Sequence, residues 1–208
     1  MVSGSGVKEK RRGKKAAASG PKAGKSELRE KFRKWRLKLS RQEVKRRSAK
    51  ILENLFLLRE ISRAQNVACY ISFNNEVSTR AIIEKLRKSG KKVFVPVMDS
   101  GNKSFNFAQV KSFEGMKKNS YGILEPAGGK IPPREKIDLF LVPGLAFDLR
   151  GARIGWGKGF YDRFFAENKV KGLKIGLAFG FQLLGKIPSG AHDAKMDFVV
   201  TEKKIVKV

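Results

Sequence analysis

Residues 151–165 read GARIGWGKGFYDRFF and follow an apolar run, IDLFLVPGLAFD. Gly151, Gly155, Gly157 and Gly159 are crowded together here, with the cations Arg153 and Lys158 between them. Glycine lets backbone N–H groups approach an anion with no Cβ in the way. The segment after the loop, FYDRFF, reads as a helix, and a helix N-terminus favours negative charge. Together these features make a phosphate cradle; a tight basic surface turn has the same composition. The loop is not a Walker A motif, which needs glycine where this chain has Ala152 and Ser or Thr where it has Gly159. Nor is it a GxGxxG turn opening a dinucleotide-binding unit. Asp162 sits among the cations. A carboxylate there could hold Mg²⁺ against bound phosphates, or serve simply as a first-turn helix aspartate.

Such a loop works only if a strand ends before it and a helix begins after it. The apolar runs NVACYISF, KKVFVPV, DLFLVPG, KIGLAF and DFVVT read as strands, and SFNFAQV alternates like a half-buried strand in a hairpin or at an edge. Ser26 is placed to cap a helix through ELREKFRKWRLKL, with Leu28, Phe32, Trp35 and Leu39 on one side. SRQE, Ser40 to Glu43, is a capping box that opens a second helix, whose Val44, Ile51, Leu52, Leu55 and Phe56 form an apolar stripe. Ser78 is placed to cap TRAIIEKLRKS, and Gly90 to end it. Strands alternating with helices predict an α/β fold with a mainly parallel sheet. Ligands of such sheets sit beyond the C-terminal strand ends, where the glycine loop and NNEVST both fall.

The chain has 208 residues and a formal charge of +27, which predicts one domain with a sizeable core and a general attraction for polyanions. Residues 1–50 carry 19 Lys and Arg against 4 acids, so the excess is greatest at the N-terminus. Residues 1–24 are basic, rich in small residues and nearly acid-free, which predicts a disordered tail ahead of a folded domain over 25–208. An organellar transit peptide is the alternative reading of that tail. Cys69 is the only cysteine, no stretch reaches the length of a membrane span, and no secretory signal is visible. The expected setting is cytoplasmic, with no membrane partner. One Cys and one His exclude a zinc site.

VPGLAFDLRGARIGWGKGFYDRFF resembles the signature of the 5-formyltetrahydrofolate cyclo-ligase, or 5,10-methenyltetrahydrofolate synthetase, family. KSELREKFRKWRLKLSRQE, YISFNNEVSTRAIIEKLRKSGKKVFVPV, YGILEP and HDAKMDFVVT resemble further family segments, in the same order, so the likeness spans about residues 25–202. The resemblance implies a three-layer α/β/α sandwich. It implies conversion of 5-formyltetrahydrofolate to 5,10-methenyltetrahydrofolate with ATP and Mg²⁺: the formyl oxygen takes the γ-phosphoryl group, N10 closes the ring, and phosphate leaves.

Carried over residue by residue, the resemblance places ATP against Lys25, Arg29 and the run Arg153, Ile154, Gly155, Trp156, Gly157, Lys158, Gly159, Phe160 and Tyr161. It gives Arg153, Lys158 and Tyr161 catalytic positions. It places the folate against Ile71, Glu76 and Tyr121 and against Trp156 to Phe160, and Mg²⁺ on Asp162 and Asp197. Outside the family, Glu76 reads as a loop glutamate, Ile71 as core and Asp197 as a strand-start aspartate. Trp156 departs from the usual family residue and fits either pterin stacking or core packing. Phe160 replaces a common tyrosine, so no hydroxyl at that position is essential here. His192 is assigned a structural role, and Met98, Met116 and Met196 packing roles. A nucleic-acid-binding protein and a non-catalytic folate-binding relative are the competing readings. The tail could add weak, nonspecific polyanion binding.

Overall fold

The computed structural model describes residues 24–99, 101, 104–126, 137–168 and 170–208; the expected tail, apart from Gly24, lies outside the described residues. The chain begins with helices α1 (Lys25–Leu37), α2 (Arg41–Phe56) and α3 (Arg59–Arg63), then strand β1 (Asn66–Cys69), helix α4 (Arg80–Lys88) and strands β2 (Lys92–Met98) and β3 (Phe105–Gln109). Short strands β4 (Lys117–Lys118) and β5 (Leu124–Glu125) form a two-stranded unit. Next come β6 (Leu139–Val142), β7 (Ala146–Asp148), β8 (Arg153–Ile154), α5 (Phe160–Glu167), β9 (Leu173–Leu177), β10 (Leu183–Leu184), β11 (Phe198–Val200) and β12 (Ile205–Lys207).

Seven strands make the central sheet, in the order β12-β11-β9-β6-β1-β2-β3. Its five inner strands are parallel; β12 and β3 close the two edges antiparallel. SFNFAQV therefore sits both in a hairpin and at an edge, as its alternation predicted. LFLV of β6 is buried at every residue because helices cover both faces. Val67, Leu139, Leu141 and Ile175 point to one face, where α2, α3 and α4 supply Ile51, Leu55, Ile61, Ile83 and Leu86. Ala68, Phe140 and Val142 point to the other, against Phe164 and Phe165 of α5. This is the expected three-layer α/β/α sandwich.

Helix α1 belongs to neither outer layer. Its Phe32 packs with Leu145, Ala146, Ile154 and Ile187 on a second, three-stranded sheet, β10-β7-β8, that carries the glycine loop. Trp35, expected on the same stripe, is 43% exposed and meets Phe32 edge-on, with the Lys31 ammonium 4.6 Å from its ring. Two caps also differ from expectation. Gly24, not Ser26, precedes α1, and Glu27 Oε2 accepts the Gly24 N–H at 3.2 Å. Thr79, not Ser78, precedes α4, and its hydroxyl accepts Ser72 N–H at 3.1 Å instead of capping the helix. The Ser40–Glu43 capping box forms, and Gly90 ends α4 with φ +76°.

The connections leave β1 in two directions. The chain runs outward through α4 to β2, then returns to place β6 on the other side of β1. That reversal opens a crevice beyond the C-terminal ends of β1 and β6, where open α/β sheets bind ligands.

Candidate functional site

A cavity of about 470 Å³ fills this crevice. Tyr70, Ile71, Phe73 and Glu76 enter it from the segment after β1, Pro96 and Met98 from the end of β2, and Tyr121, Ile123 and Glu125 from the β4–β5 unit. The glycine loop supplies Arg153 through Asp162, and α1 supplies Lys25 and Arg29. Every sequence-predicted ATP and folate residue thus lines one cavity. Of the two predicted metal ligands only Asp162 does. Asp197 stands just before β11, where its Oδ2 accepts Lys174 N–H at 2.7 Å, so the structure does not bring it to the cavity. Its position is that of the strand-start aspartate.

The glycines of the loop have separate reasons. Gly151 turns the β7–β8 hairpin at φ +78°, and a Cβ there would run into the Met196 carbonyl. Gly157 and Gly159 also have positive φ, the latter as N-cap of α5. Gly155 leaves room for Arg153, whose Nη1 lies 2.6 Å from where its Cβ would stand. Arg153 is 7% exposed, and its Nη2 donates to Asp162 Oδ1 at 2.8 Å. Ala194 N–H also donates to that oxygen, at 3.2 Å, so both bonds described for Asp162 fall on Oδ1. Its Oδ2 is available to a metal. Among the described residues no group of three or more His, Cys, Asp or Glu could hold a metal by itself. One carboxylate matches the way Mg²⁺ is held alongside substrate phosphates.

The first turns of α1 dock on the loop. Arg29 Nε donates to the Gly155 carbonyl at 3.2 Å, and Lys25 pairs with Asp193. Lys158 is exposed at the loop's crest. Two buried donors at the cavity, Arg153 Nε and Tyr161 Oη, have no hydrogen-bond partner. Burial pushes the Tyr161 phenol well above its ordinary pKa, so it stays protonated. Orphaned buried donors in a cavity are what a bound oxygen-rich ligand would satisfy.

The opposite wall centres on Glu76. Asn74 and Asn75 turn the loop through positive φ, and Asn75 Nδ2 donates to the Leu39 carbonyl at 2.9 Å, stapling the loop to the end of α1. Glu76 is 4% exposed. Its Oε1 accepts Trp156 Nε1–H at 3.1 Å, and its Oε2 accepts Phe73 N–H at 3.3 Å. Burial raises its carboxyl above the usual range, opposed chiefly by Arg36 and then by the Trp156 and Phe73 bonds. A carboxylate offers about four lone-pair sites, so acceptor capacity remains for a ligand. Trp156 lines the cavity, and its ring packs on Phe73 at 5.2 Å between centroids.

Asp193, which lines the cavity, and Arg36 are not among the sequence-predicted residues; Met98 packs against the core as expected and also lines the cavity. His192 is exposed beside Asp193. Arg36 had a legible signal: Lys25, Arg29, Phe32 and Arg36 follow helical spacing on one face, so a cation continues a buried stripe.

The sequence pattern of the 5-formyltetrahydrofolate cyclo-ligase family matches residues 21–202. The chain belongs to that family. Membership makes it an enzyme, a cyclo-ligase of 5-formyltetrahydrofolate, and overrides the readings as a nucleic-acid-binding protein or a non-catalytic relative. A probable 5-formyltetrahydrofolate cyclo-ligase of Caenorhabditis elegans is 32% identical over 201 residues, covering 88% of this chain and 94% of that protein. The Haemophilus influenzae 5-formyltetrahydrofolate cyclo-ligase is 31% identical, covering 82% and 93%. The solution structure of Aquifex aeolicus 5,10-methenyltetrahydrofolate synthetase superposes with a TM-score of 0.78 at 37% identity, covering 88% and 92%.

Proposed function

We propose that this cavity binds 5-formyltetrahydrofolate against Glu76 and the phosphates of ATP against the glycine loop, and that the formyl oxygen is phosphorylated between them. The observation that carries this reading is the single cavity that joins a buried carboxylate to the cations of α1 and the loop. A formamide oxygen leaves poorly until it is phosphorylated. Once it is, with ADP released from the broken Pγ–O bond, N10 attacks the formyl carbon and gives up its proton, the C–O bond breaks, phosphate departs, and the five-membered ring closes. The protein positions the two substrates and offsets charge along that path.

Glu76 accepts hydrogen bonds from the donor edge of the pterin, with Ile71, Tyr121 and Trp156 as apolar and aromatic walls. Lys25, Arg29, Arg153 and Lys158 meet phosphate oxygens, and the N–H groups of the loop, at the N-terminus of α5, add donors. Tyr161, held protonated, donates to an oxygen in the same cavity. Asp162 would hold Mg²⁺ through Oδ2, and the metal would neutralise phosphate charge there. Asp197 would need a change of structure to take part.

The test is optical. Methenyltetrahydrofolate absorbs in the near ultraviolet where the formyl substrate does not. A rise in that band that requires protein, ATP and Mg²⁺ together is the expected result. A protein that binds folate but gives no such rise would overturn the reading.

The docked first turn of α1 makes a second expectation. Lys25→Ala with Arg29→Ala should raise KM for ATP by roughly tenfold or more, the loss of two charge-assisted contacts. Deleting residues 1–20 should leave that KM within about twofold at moderate salt, because screening there has a length of only about 8–10 Å. A short deletion as damaging as the double substitution would place the tail in the site. Cys69 is free and buried, and among the described residues no helix is long and apolar enough to cross a membrane.

A further inference from the structure

Behind the Glu76 wall lies a cation that does not line the cavity. Arg36 of α1 is 1% exposed. Its Nε donates to the Asn74 carbonyl at 3.0 Å and its Nη1 to the Gly144 carbonyl at 3.4 Å. Nη1 also lies 3.5 Å from Glu76 Oε1, and the guanidinium carbon stands 4.7 Å from the centre of the Trp156 ring. Nη2 is buried with no partner.

Holding α1 to the Glu76 loop does not need this charge. Asn75 already staples the loop to the end of the helix, and a carbonyl needs a hydrogen-bond donor rather than a full charge. Burying a guanidinium is costly, and a buried ion pair often adds little net stability. The charge is instead spent on two groups of the site. It faces Glu76 from the rear, and it lies against the indole whose Nε1–H is aimed at that same carboxylate.

We propose that Arg36 is a positioning residue for the folate end of the site: from behind the cavity wall it holds Glu76 as a carboxylate and fixes the Trp156 ring over it. This rests on the assignment of Glu76 to the folate. The other titratable groups facing Glu76 are the hydroxyls of Tyr70, after β1, and Tyr161, on α5. Burial raises both, and both stay neutral. Arg36 is therefore the one positive charge among these neighbours. Burial alone drives Glu76 toward its protonated form, and Arg36 is the largest influence in the other direction.

The sign follows. Glu76 is charged above its pKa, so folate binding is present at higher pH and lost as pH falls through that value. Removing the Arg36 charge moves the midpoint of loss upward. The experiment measures Kd for 5-formyltetrahydrofolate and, separately, for ATP by calorimetry across about pH 5.5 to 9, with thermal melts of each variant. Arg36→Gln should raise the midpoint by about one pH unit or more and weaken folate binding about tenfold at neutral pH. Binding should recover at high pH, with ATP binding changed less than about twofold. Arg36→Lys should bring the midpoint back to within about half a unit of the parent protein. Arg36→Gln combined with Glu76→Gln should bind folate no worse than Glu76→Gln alone.

An unmoved midpoint, or a double variant additively worse than Glu76→Gln, overturns the proposal. If the glutamine variant does not melt cooperatively, the lysine variant decides: a midpoint shifted by a full unit despite the retained charge sinks the idea. Glu76→Gln separates the two claims. If it leaves folate affinity unchanged, the folate assignment of Glu76 falls. If it weakens affinity while Arg36→Gln leaves the midpoint in place, only the role of Arg36 falls.

Discussion

Lys158→Ala should lower kcat by about tenfold to a thousandfold, a loss of roughly 1.4 to 4 kcal/mol of transition-state stabilisation, with the fold intact. The structure explains why the fold should survive. Lys158 is exposed on the crest of the glycine loop, and what holds that crest is the Lys158 backbone carbonyl, which accepts Arg163 Nη1–H at 2.8 Å. Truncating the side chain leaves that bond in place and removes only a charge at the cavity. Arg153 gives the contrast. It is buried against Asp162, so Arg153→Ala would strand a carboxylate and confound turnover with stability. A folded Lys158→Ala protein with normal turnover, measured by the near-ultraviolet assay with ATP saturating, would remove Lys158 from the phosphoryl path.

Glu76→Gln should weaken folate binding by about tenfold to a hundred-and-fifty-fold, the equivalent of roughly 1.5 to 3 kcal/mol, and should leave ATP binding nearly unchanged. Two effects combine. The pterin loses a charged acceptor, and the new amide must place its NH₂ group against a donor, because both oxygens of Glu76 already accept, one from Trp156 and one from Phe73. Arg36 would also be left buried without its counter-charge. Titrating each ligand separately decides the matter. Equal losses for both ligands would mean that the substitution disturbs the whole crevice rather than one of its ends.

Sequence alone determined what depends on near neighbours. Strand and helix alternation gave the layered sheet, because apolar period and turn chemistry are local. The clustered glycines announced a loop of close backbone approach, and the structure adds that Gly151, Gly157 and Gly159 have positive φ. Ser40 and Glu43 form their box because the bonds span only three residues. The family resemblance then carried Lys25, Arg29, Ile71, Glu76 and Tyr121 to one cavity, a grouping that periodicity could not have made.

Tertiary structure decided which charges leave water. In KSELREKFRKWRL helical spacing puts Arg36 on the face of Phe32 but does not show what would receive its charge; Arg36 is buried while Lys34, two residues earlier, is exposed. The difference comes from partners 38 to 108 residues away, Asn74, Glu76 and Gly144, which meet only once α1 packs on the small sheet. Distance in sequence likewise hid the pairing of Lys25 with Asp193, 168 residues apart. The family resemblance assigns Mg²⁺ to Asp162 and Asp197 alike. The fold puts Asp162 at the first turn of α5, in the crevice, and Asp197 just before β11, away from the C-terminal strand ends where open α/β sheets bind ligands. A carboxylate's chemistry is written in its residue type, but its access to substrate is set by which end of the strand it stands on.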